Sequence, residues 1–162
     1  CSSDLYNAGD ANSVKSISWT RDAMKKFGLK LKEITVSNSS EVYGAAQSLV
    51  GDVDAIYITS DNIVVSALES VIKVANNKKI PLFGGDTDSV HKGYVAAYGL
   101  SYLQVGYSAG KKAALILKGK NPGTIPSGLT EKLSLYVNLK AARKQGVTLP
   151  FAFIELADKV FK

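Results

Sequence analysis

The sequence is poor in the residues that build metal and redox sites. It contains one Cys and one His, Cys1 and His91, in 162 residues. These counts exclude an internal disulfide, a cysteine-based zinc cage and most histidine-ligated metals. Hydrophobic residues make up 46% of the chain and charged residues 21%, which excludes disorder for most of its length. No apolar run approaches the ~18 residues that a membrane helix needs.

Arginine is also scarce, although the net charge is +6. Arg21 and Arg143 are the only two arginines, and the lysines are scattered at the ends of apolar-periodic stretches. A nucleic-acid-binding surface would instead cluster arginine with aromatic residues. We therefore expect no nucleic-acid partner.

The sequence lacks the motifs of common enzymes and cofactor sites. Neither a dinucleotide-binding glycine motif nor a phosphate-binding P-loop is present. Residues 106–110 match the G-x-S-x-G pattern of esterases, but they lie within a helical pattern, and His91 precedes Ser108 instead of following it. We predict no catalytic residues, no metal site, no cofactor and no enzymatic activity.

Apolar periodicity predicts alternating strands and helices. Strands are expected at 29–36, 53–59, 80–83, 94–100 and 133–139. Helices are expected from Asn12 or Ser13 to about Lys26, and over 42–50, 60–75, 102–118, 139–144 and from Pro150 to the chain end. This order predicts an α/β fold: a doubly wound, mostly parallel sheet with helices on both faces.

The chain opens on an apparent loop and helix, with no strand before them. A doubly wound domain normally begins with a strand, and losing a central strand would leave two unpaired edges. We therefore expect strand exchange, dimerisation or a residual first strand at residues 1–6.

Polar residues are concentrated in four loops that end at one edge of the predicted sheet. Ligands bind at the carboxyl ends of such strands, so these loops are the expected binding site. Helix capping explains about one residue per loop but not three or four. The candidate ligand-binding residues are Asn38, Ser39, Ser40, Ser60, Asp61, Asn62, Asp86 and Thr87.

Several segments together resemble one protein family. They are 7–13 (NAGDANS), 36–42 (VSNSSEV), 46–51 (AQSLVG), 53–57 (VDAIY), 60–62 (SDN), 67–71 (ALESV) and 85–90 (GDTDSV). In this order they resemble the substrate-binding proteins of ABC-type uptake transporters, in the branch described as tryptophan/tyrosine-binding or uncharacterised. The resemblance runs from about Asn7 to Lys162 and departs from the family pattern at residues 1–6 and at Ala8, where proline is common.

The resemblance implies a type I periplasmic-binding fold with flavodoxin-like strand order, in which two lobes close on a ligand. Residues 1–162 would form the C-terminal lobe, and the segment around 102–135 would cross toward the missing lobe. The implied function is to capture a small polar ligand and deliver it to an ABC permease outside the cytoplasm of a bacterium. An amino acid, possibly aromatic, is the favoured ligand. A sugar-binding relative and a flavodoxin-like enzyme or signalling domain are the alternatives.

Two finer expectations concern particular residues. Asp61 and Asp86 are expected to bind a ligand ammonium group, because charge-assisted hydrogen bonds suit it. The helix N-termini behind Asn38 and Ser60 would hold the ligand carboxylate. Cys1 resembles the lipidated residue of a bacterial lipoprotein, whereas the family resemblance places it inside a longer chain, and we favour the second interpretation.

Overall fold

The computed structural model describes residues 1–128 and 133–162, and its strands form a seven-stranded sheet of order β2-β1-β3-β4-β5-β6-β7. The strands are β1 Ser2–Tyr6, β2 Leu31–Thr35, β3 Ala55–Ile58, β4 Leu82–Asp86, β5 Ala96–Leu100, β6 Ser134–Asn138 and β7 Lys159–Phe161. The helices are α1 Ala11–Lys26, α2 Val42–Gln47, α3 Asn62–Ser66, α4 Leu68–Lys78, α5 Tyr102–Leu117, α6 Leu139–Lys144 and α7 Phe151–Glu155. Short 3-10 turns lie at Ser39–Glu41 and Pro122–Thr124. The predicted mostly parallel α/β fold is confirmed.

The direction of the strands defines one functional edge of the sheet. β1 to β5 are mutually parallel, whereas β6 runs antiparallel to β5 and parallel to β7. The carboxyl ends of β1 to β5 therefore meet at one edge, here called the carboxyl edge. The opposite edge, where these strands begin, is called the amino edge.

The expectation that the chain opens without a strand is wrong. Ser2–Tyr6 forms β1, with Asp4 opposite Glu33 on β2 and opposite Tyr57 on β3. The Ser-Ser-Asp composition disfavours a strand, but backbone pairing on both sides supplies hydrogen bonds that outweigh this local preference. The residual first strand thus fills the interior position between β2 and β3, so the sheet has no gap for strand exchange to fill.

Helices lie on both faces of the sheet. Across the sheet, the connection from β1 to β2 runs in one direction, and the connections from β2 to β3 and from β3 to β4 run in the opposite direction. Because such crossovers are right-handed, α1 lies on one face of the sheet and α2 to α4 lie on the other. On the α4 face, the main core joins Leu5, Ile56 and Leu82 of the sheet to Val42 of α2 and Val71 of α4. Asp10, and not Asn12 or Ser13, caps α1 by accepting a hydrogen bond from the Asn12 N–H.

Three predicted helices end earlier than their apolar patterns indicate, and the one expected over 42–50 stops at Gln47. The helix expected over 60–75 is broken at Ala67 into α3 and α4. The terminal helix stops at Glu155, and Val160 and Phe161, which its apolar pattern includes, lie in β7. Val160 pairs with Val137 of β6, so a free sheet edge captures these apolar residues as a strand.

Helix α5 and part of the α1 face of the sheet are exposed. None of the residues of α5 is buried, and Leu103 and Leu117 are 78% and 88% exposed. On the sheet, Tyr57, Phe83 and Tyr98 border an open groove of about 480 Å³. These surfaces are apolar and unpartnered, which is unusual for a soluble domain.

Candidate functional site

A polar concavity of about 200 Å³ lies at the carboxyl edge. Its lining residues come from the ends of β3 and β4, from the start of α3 and from the start of α5: Ser60, Asn62, Val65, Asp86, Asp88, Ser89 and Tyr102. Parallel strands that end together bring these loops to one place, as expected from the sequence. Of the candidate residues predicted from the sequence, Ser60, Asn62 and Asp86 line it. We call it the carboxyl-edge pocket.

Asp86 is the most constrained side chain of this pocket. The register of β4 and β5 shifts between Gly84 and Asp86, at the point where Gly99 approaches β4 so closely that a Cβ atom there would lie 2.0 Å from the Gly85 carbonyl oxygen. Asp86 is 6% exposed, and its Oδ1 accepts a hydrogen bond of 2.8 Å from the Ser89 N–H. Its buried Oδ2 has no hydrogen-bond partner among the described residues. One carboxyl oxygen of Asp86 is thus left without a hydrogen-bond partner among the described residues.

The charge of the pocket is negative. Asp86 and Asp88 contribute two carboxyl groups, and no Lys, Arg or His is among the lining residues. The Tyr102 ring adds an aromatic surface at the first residue of α5. Carboxylates and an aromatic ring attract a cation, so the arrangement suits a ligand ammonium group better than a ligand carboxylate.

Asp61 has a structural position in the fold. Its side chain is fully buried and caps α3 by accepting a 3.0 Å hydrogen bond from the Val64 N–H. Its Oδ2 also accepts hydrogen bonds from the Asn7 N–H at 2.8 Å and the Ser13 hydroxyl at 2.5 Å. Asp61 therefore ties β1, α1 and α3 together and does not line the carboxyl-edge pocket.

The other candidates are also held by local hydrogen bonds. Thr87 is buried, and its hydroxyl donates to the Leu100 carbonyl at 3.0 Å. Asn38 accepts from the Ser40 N–H at 3.1 Å and donates to Glu41 at 2.8 Å. Asn38, Ser39 and Ser40 are exposed and are not among the residues that line the pocket. The structure thus does not bring the Asn38 loop to the Asp86 loop, and any ligand role of these residues stays a prediction.

A second buried carboxyl group lies on the α1 face. Asp4 is fully buried on β1, and neither of its oxygens has a hydrogen-bond partner among the described residues. Loss of hydration on burial raises the pKa of Asp4 to about 8; the nearby Thr59 backbone offsets part of this increase, and the carboxylates of Glu33 and Asp61 add to it. Burial also raises the pKa of the neighbouring Tyr57, with a contribution from Asp4. Asp4 is therefore protonated in the folded protein at neutral pH.

A larger concavity on the α1 face differs in character from the carboxyl-edge pocket. It measures about 420 Å³, and Trp19 and Met24 of α1 with Tyr57 and Tyr98 of the sheet supply much of its apolar lining. It contains no charged residue among its lining, so nothing in it distinguishes the ends of a zwitterion. For a small polar ligand the carboxyl-edge pocket is the better candidate site.

Sequence reasoning missed Asp88, Ser89 and Tyr102 as pocket residues. Asp88 and Ser89 follow Asp86 in the same loop, so their place in the chain was a usable signal. The apolar pattern places Tyr102 only at the start of a helix, yet a helix that begins directly after a parallel strand starts at the carboxyl edge. Residues 1–128 and 133–162 contain no group of three or more metal-ligating side chains. Over the same residues no helix has the length and apolarity to cross a membrane.

The chain combines a mostly parallel α/β sheet with a pocket at its carboxyl edge, and comparison with known proteins gives the family. The model of the family "ABC transporter substrate binding protein" matches residues 3–161. The chain belongs to this family.

Individual relatives agree with that assignment. The chain is 37% identical over 134 residues to the tyrosine-binding protein of Clostridioides difficile (strain R20291). A crystal structure of a conserved domain protein from Vibrio cholerae matches with a TM-score of 0.89 and 35% identity. The ligand-free, open structure of a substrate binding protein with adhesive properties from Clostridium difficile matches with a TM-score of 0.76 and 29% identity.

The chain spans only part of these proteins. The match to the tyrosine-binding protein covers 83% of this chain but 39% of the relative. The matches to the two solved structures cover 98% and 99% of this chain, which spans 54% of each of them.

Proposed function

We propose that this chain is the ligand-binding C-terminal lobe of a two-lobed solute-binding protein that captures an amino acid, with an aromatic one favoured, for an ABC importer. The observation that carries the proposal is the buried, unpartnered Oδ2 of Asp86 in a pocket that has two carboxyl groups and no cationic residue among its described lining. The relative that binds tyrosine is a family member at 37% identity, which supports the same ligand class.

The pocket assigns the two ends of the ligand to different parts of the protein. Asp86 Oδ2 accepts from the ligand ammonium, and Asp88 and Tyr102 lie close enough to share its charge. The ligand carboxylate is held elsewhere, on the other lobe, because this pocket would repel it. This differs from the expectation that Asp61 also binds the ammonium, since Asp61 already accepts three hydrogen bonds within the fold.

Two unpartnered surfaces support the two-lobed arrangement. Helix α5 has no buried residue, and the α1 face has an open groove at Tyr57, Phe83 and Tyr98. A second lobe would bury apolar surface of this kind. In this proposal α5, which begins at the pocket, crosses toward that lobe; residues 129–132 of the crossing segment expected over 102–135 lie outside the described residues. Closure of the two lobes would then trap the ligand.

The partner and location follow from the family role. We propose that the loaded protein docks on an ABC permease in a bacterial membrane and works on the extracytoplasmic side. The negatively charged carboxyl-edge pocket and the lysines scattered over the surface are compatible with such docking. Whether Cys1 is a lipidated N-terminus or an internal residue stays a prediction.

The test is an affinity comparison of Asp86→Asn with the parent, both in the full-length two-lobed protein, by isothermal titration calorimetry with L-tyrosine and L-tryptophan. The amide keeps the shape of the side chain but removes the charge that strengthens the hydrogen bond. We expect affinity to fall about ten- to hundredfold. Asp22→Asn, on the exposed surface of α1, is the matched control and should bind as the parent does.

The same titration decides between the ligand classes. Unchanged amino-acid affinity in Asp86→Asn would contradict the assignment of the pocket. Heat from galactose or glucose but from neither amino acid would favour a sugar-binding relative. Turnover of a bound molecule would be required for the flavodoxin-like enzyme alternative.

A further inference from the structure

A second polar cavity lies at the amino edge, on the opposite side of the sheet from the carboxyl-edge pocket. It measures about 140 Å³ and is formed by the turn before β5, the end of β6, helix α6 and one residue of α4. Its lining consists of Asn76, His91, Lys92, Gly93, Asn138, Lys140, Ala141 and Lys144. We call it the basic cavity, because three lysines and a histidine from two chain segments line it and no carboxyl group is among its described lining residues.

The lysines of the basic cavity form no ion pair with a described carboxylate. The ion pairs among the described residues join the N-terminus to Asp54, Arg21 to Glu33, and Lys32 to Asp52. Lys92, Lys140 and Lys144 take part in none of them. Three exposed lysine side chains thus line one small space, and an anion bound among them would lower their mutual repulsion.

Hydrogen bonding leaves the cavity with donors and few free side-chain acceptors. Gln145 is 1% exposed; its Oε1 accepts from the Leu82 N–H at 2.8 Å and its Nε2 donates to the Gly93 carbonyl at 2.9 Å. The same Nε2 donates to Asn76 Oδ1 at 3.2 Å. This contact fixes the amide of Asn76, so the group that remains free on it is the N–H donor.

The neighbouring asparagine is already satisfied. Asn138 Oδ1 accepts from the Ala141 N–H at 2.9 Å, and its Nδ2 donates to the Val90 carbonyl at 2.8 Å. Gly93 is held in place from the other side, since a Cβ atom there would lie 2.8 Å from Ile72 Cγ2. The walls of the cavity are therefore fixed by buried contacts, whereas its charged groups are exposed and positive.

From this arrangement we propose that the basic cavity binds a phosphate-type oxyanion. Its ammonium groups and the Asn76 amide supply hydrogen-bond donors. The ionised oxygens of a phosphate group accept hydrogen bonds and donate none. At about 140 Å³ the space is smaller than the ~300 Å³ or more of pockets that enclose drug-sized ligands, which favours a single phosphate group. Free phosphate and the headgroup of an anionic phospholipid share this chemistry.

The first experiment uses inorganic phosphate as the probe. The protein is titrated with phosphate at constant ionic strength, and backbone amide shifts are followed by NMR. We expect saturable shifts at Asn76, at 91–93 and at 138–141. The double variant Lys140→Ala/Lys144→Ala should weaken binding about tenfold or more, because two charged donors are lost. Lys25→Ala/Lys26→Ala removes the same charge from the last turn of α1 and is the control.

The second experiment separates the two sources of phosphate. Sedimentation with vesicles of phosphatidylglycerol and of phosphatidylcholine measures binding to a lipid surface. Phosphate shifts without vesicle binding identify a free anion as ligand, whereas binding to phosphatidylglycerol alone, lost in the Lys140→Ala/Lys144→Ala variant, identifies a headgroup. Absence of both, or equal loss in the Lys25→Ala/Lys26→Ala control, would overturn the proposal. Because the cavity variants lie at the amino edge, amino-acid affinity at the carboxyl-edge pocket is an independent readout.

Discussion

The buried carboxyl group of Asp4 predicts an unusual dependence of stability on pH. Asp4 lies in the interior strand β1 with no exposed surface, and its pKa in the folded protein is about 8 against 3.8 for the ordinary group. In the unfolded chain the group ionises as pH rises past its ordinary pKa, while the folded state keeps the proton. The unfolded state is therefore favoured progressively between about pH 4 and pH 8.

The size of this effect follows from the difference between the folded and unfolded pKa of Asp4. The folded pKa is raised, so the stability contributed by Asp4 is full below pH 3.8 and is lost as pH rises to about 8. Stability changes by about 1.4 kcal/mol for each pH unit within this window, which amounts to about 6 kcal/mol across the whole of it. Because total stabilities are typically about 5–15 kcal/mol, a loss of this size is readily measured.

The assay is urea unfolding of the parent protein and of Asp4→Asn at pH 5, 6, 7 and 8. The amide does not ionise, so the difference in free energy of unfolding between the two proteins should move in favour of the variant as pH rises. Asp22→Asn replaces an exposed carboxyl group of α1 and should follow the parent at every pH. Parallel curves for Asp4→Asn and the parent would refute the account of Asp4 as a buried acid that is neutral at pH 7.

Three further predictions concern single positions. Gly99→Ala should lower the free energy of urea unfolding by about 1–3 kcal/mol, because its Cβ would lie 2.0 Å from the Gly85 carbonyl oxygen. Gly110→Ala in α5, which has open space around it, should be neutral or stabilising by up to about 1 kcal/mol. Equal effects of the two substitutions would contradict the close approach of β4 and β5. Gln145→Leu should lower the free energy of unfolding by about 3 kcal/mol, because it leaves the Leu82 N–H and the Gly93 carbonyl unpaired. The side-chain amide of Gln47 reaches only the exposed Tyr43 hydroxyl, so Gln47→Leu should change stability by less than about 0.5 kcal/mol. Asp61→Asn should lower the free energy of unfolding by about 1–3 kcal/mol, because an amide cannot accept all three hydrogen bonds of the carboxylate. Asp86→Asn should lower it by less than about 1 kcal/mol. A larger loss in Asp86→Asn than in Asp61→Asn would show that the structural and ligand roles of the two residues have been exchanged.

The sequence was sufficient to predict the elements whose apolar patterns are regular. The helical stripe of Val42 and Ala46 and the short apolar run around β3 reflect burial that depends mainly on local sequence, and their places in the fold agree. β1 and β7 could not be predicted in this way. Ser2–Tyr6 and Lys159–Phe161 become strands because a neighbouring strand offers backbone partners, and no local pattern records a neighbour.

The candidate site shows the same division. Chain order and the carboxyl-edge rule predict Ser60, Asn62 and Asp86 as neighbours, and these residues share a pocket in the structure. The rule does not predict which polar side chains are already hydrogen-bonded within the fold. Asp61 and Asp86 follow equivalent strands, yet only Asp86 of the two keeps a buried oxygen without a partner among the described residues, because Asn7 and Ser13 from distant parts of the chain reach Asp61.

The central claim is that the carboxyl-edge pocket recognises the ammonium group of an aromatic amino acid. The most direct measurement is a pair of calorimetric titrations of the ligand-binding protein, one with L-tyrosine and one with 3-(4-hydroxyphenyl)propanoate, which lacks only the ammonium group. We predict that L-tyrosine binds at least about tenfold more tightly, since a charge-assisted hydrogen bond to Asp86 is lost in the second compound. Equal affinity for the two compounds would contradict the assignment of Asp86 and of the pocket.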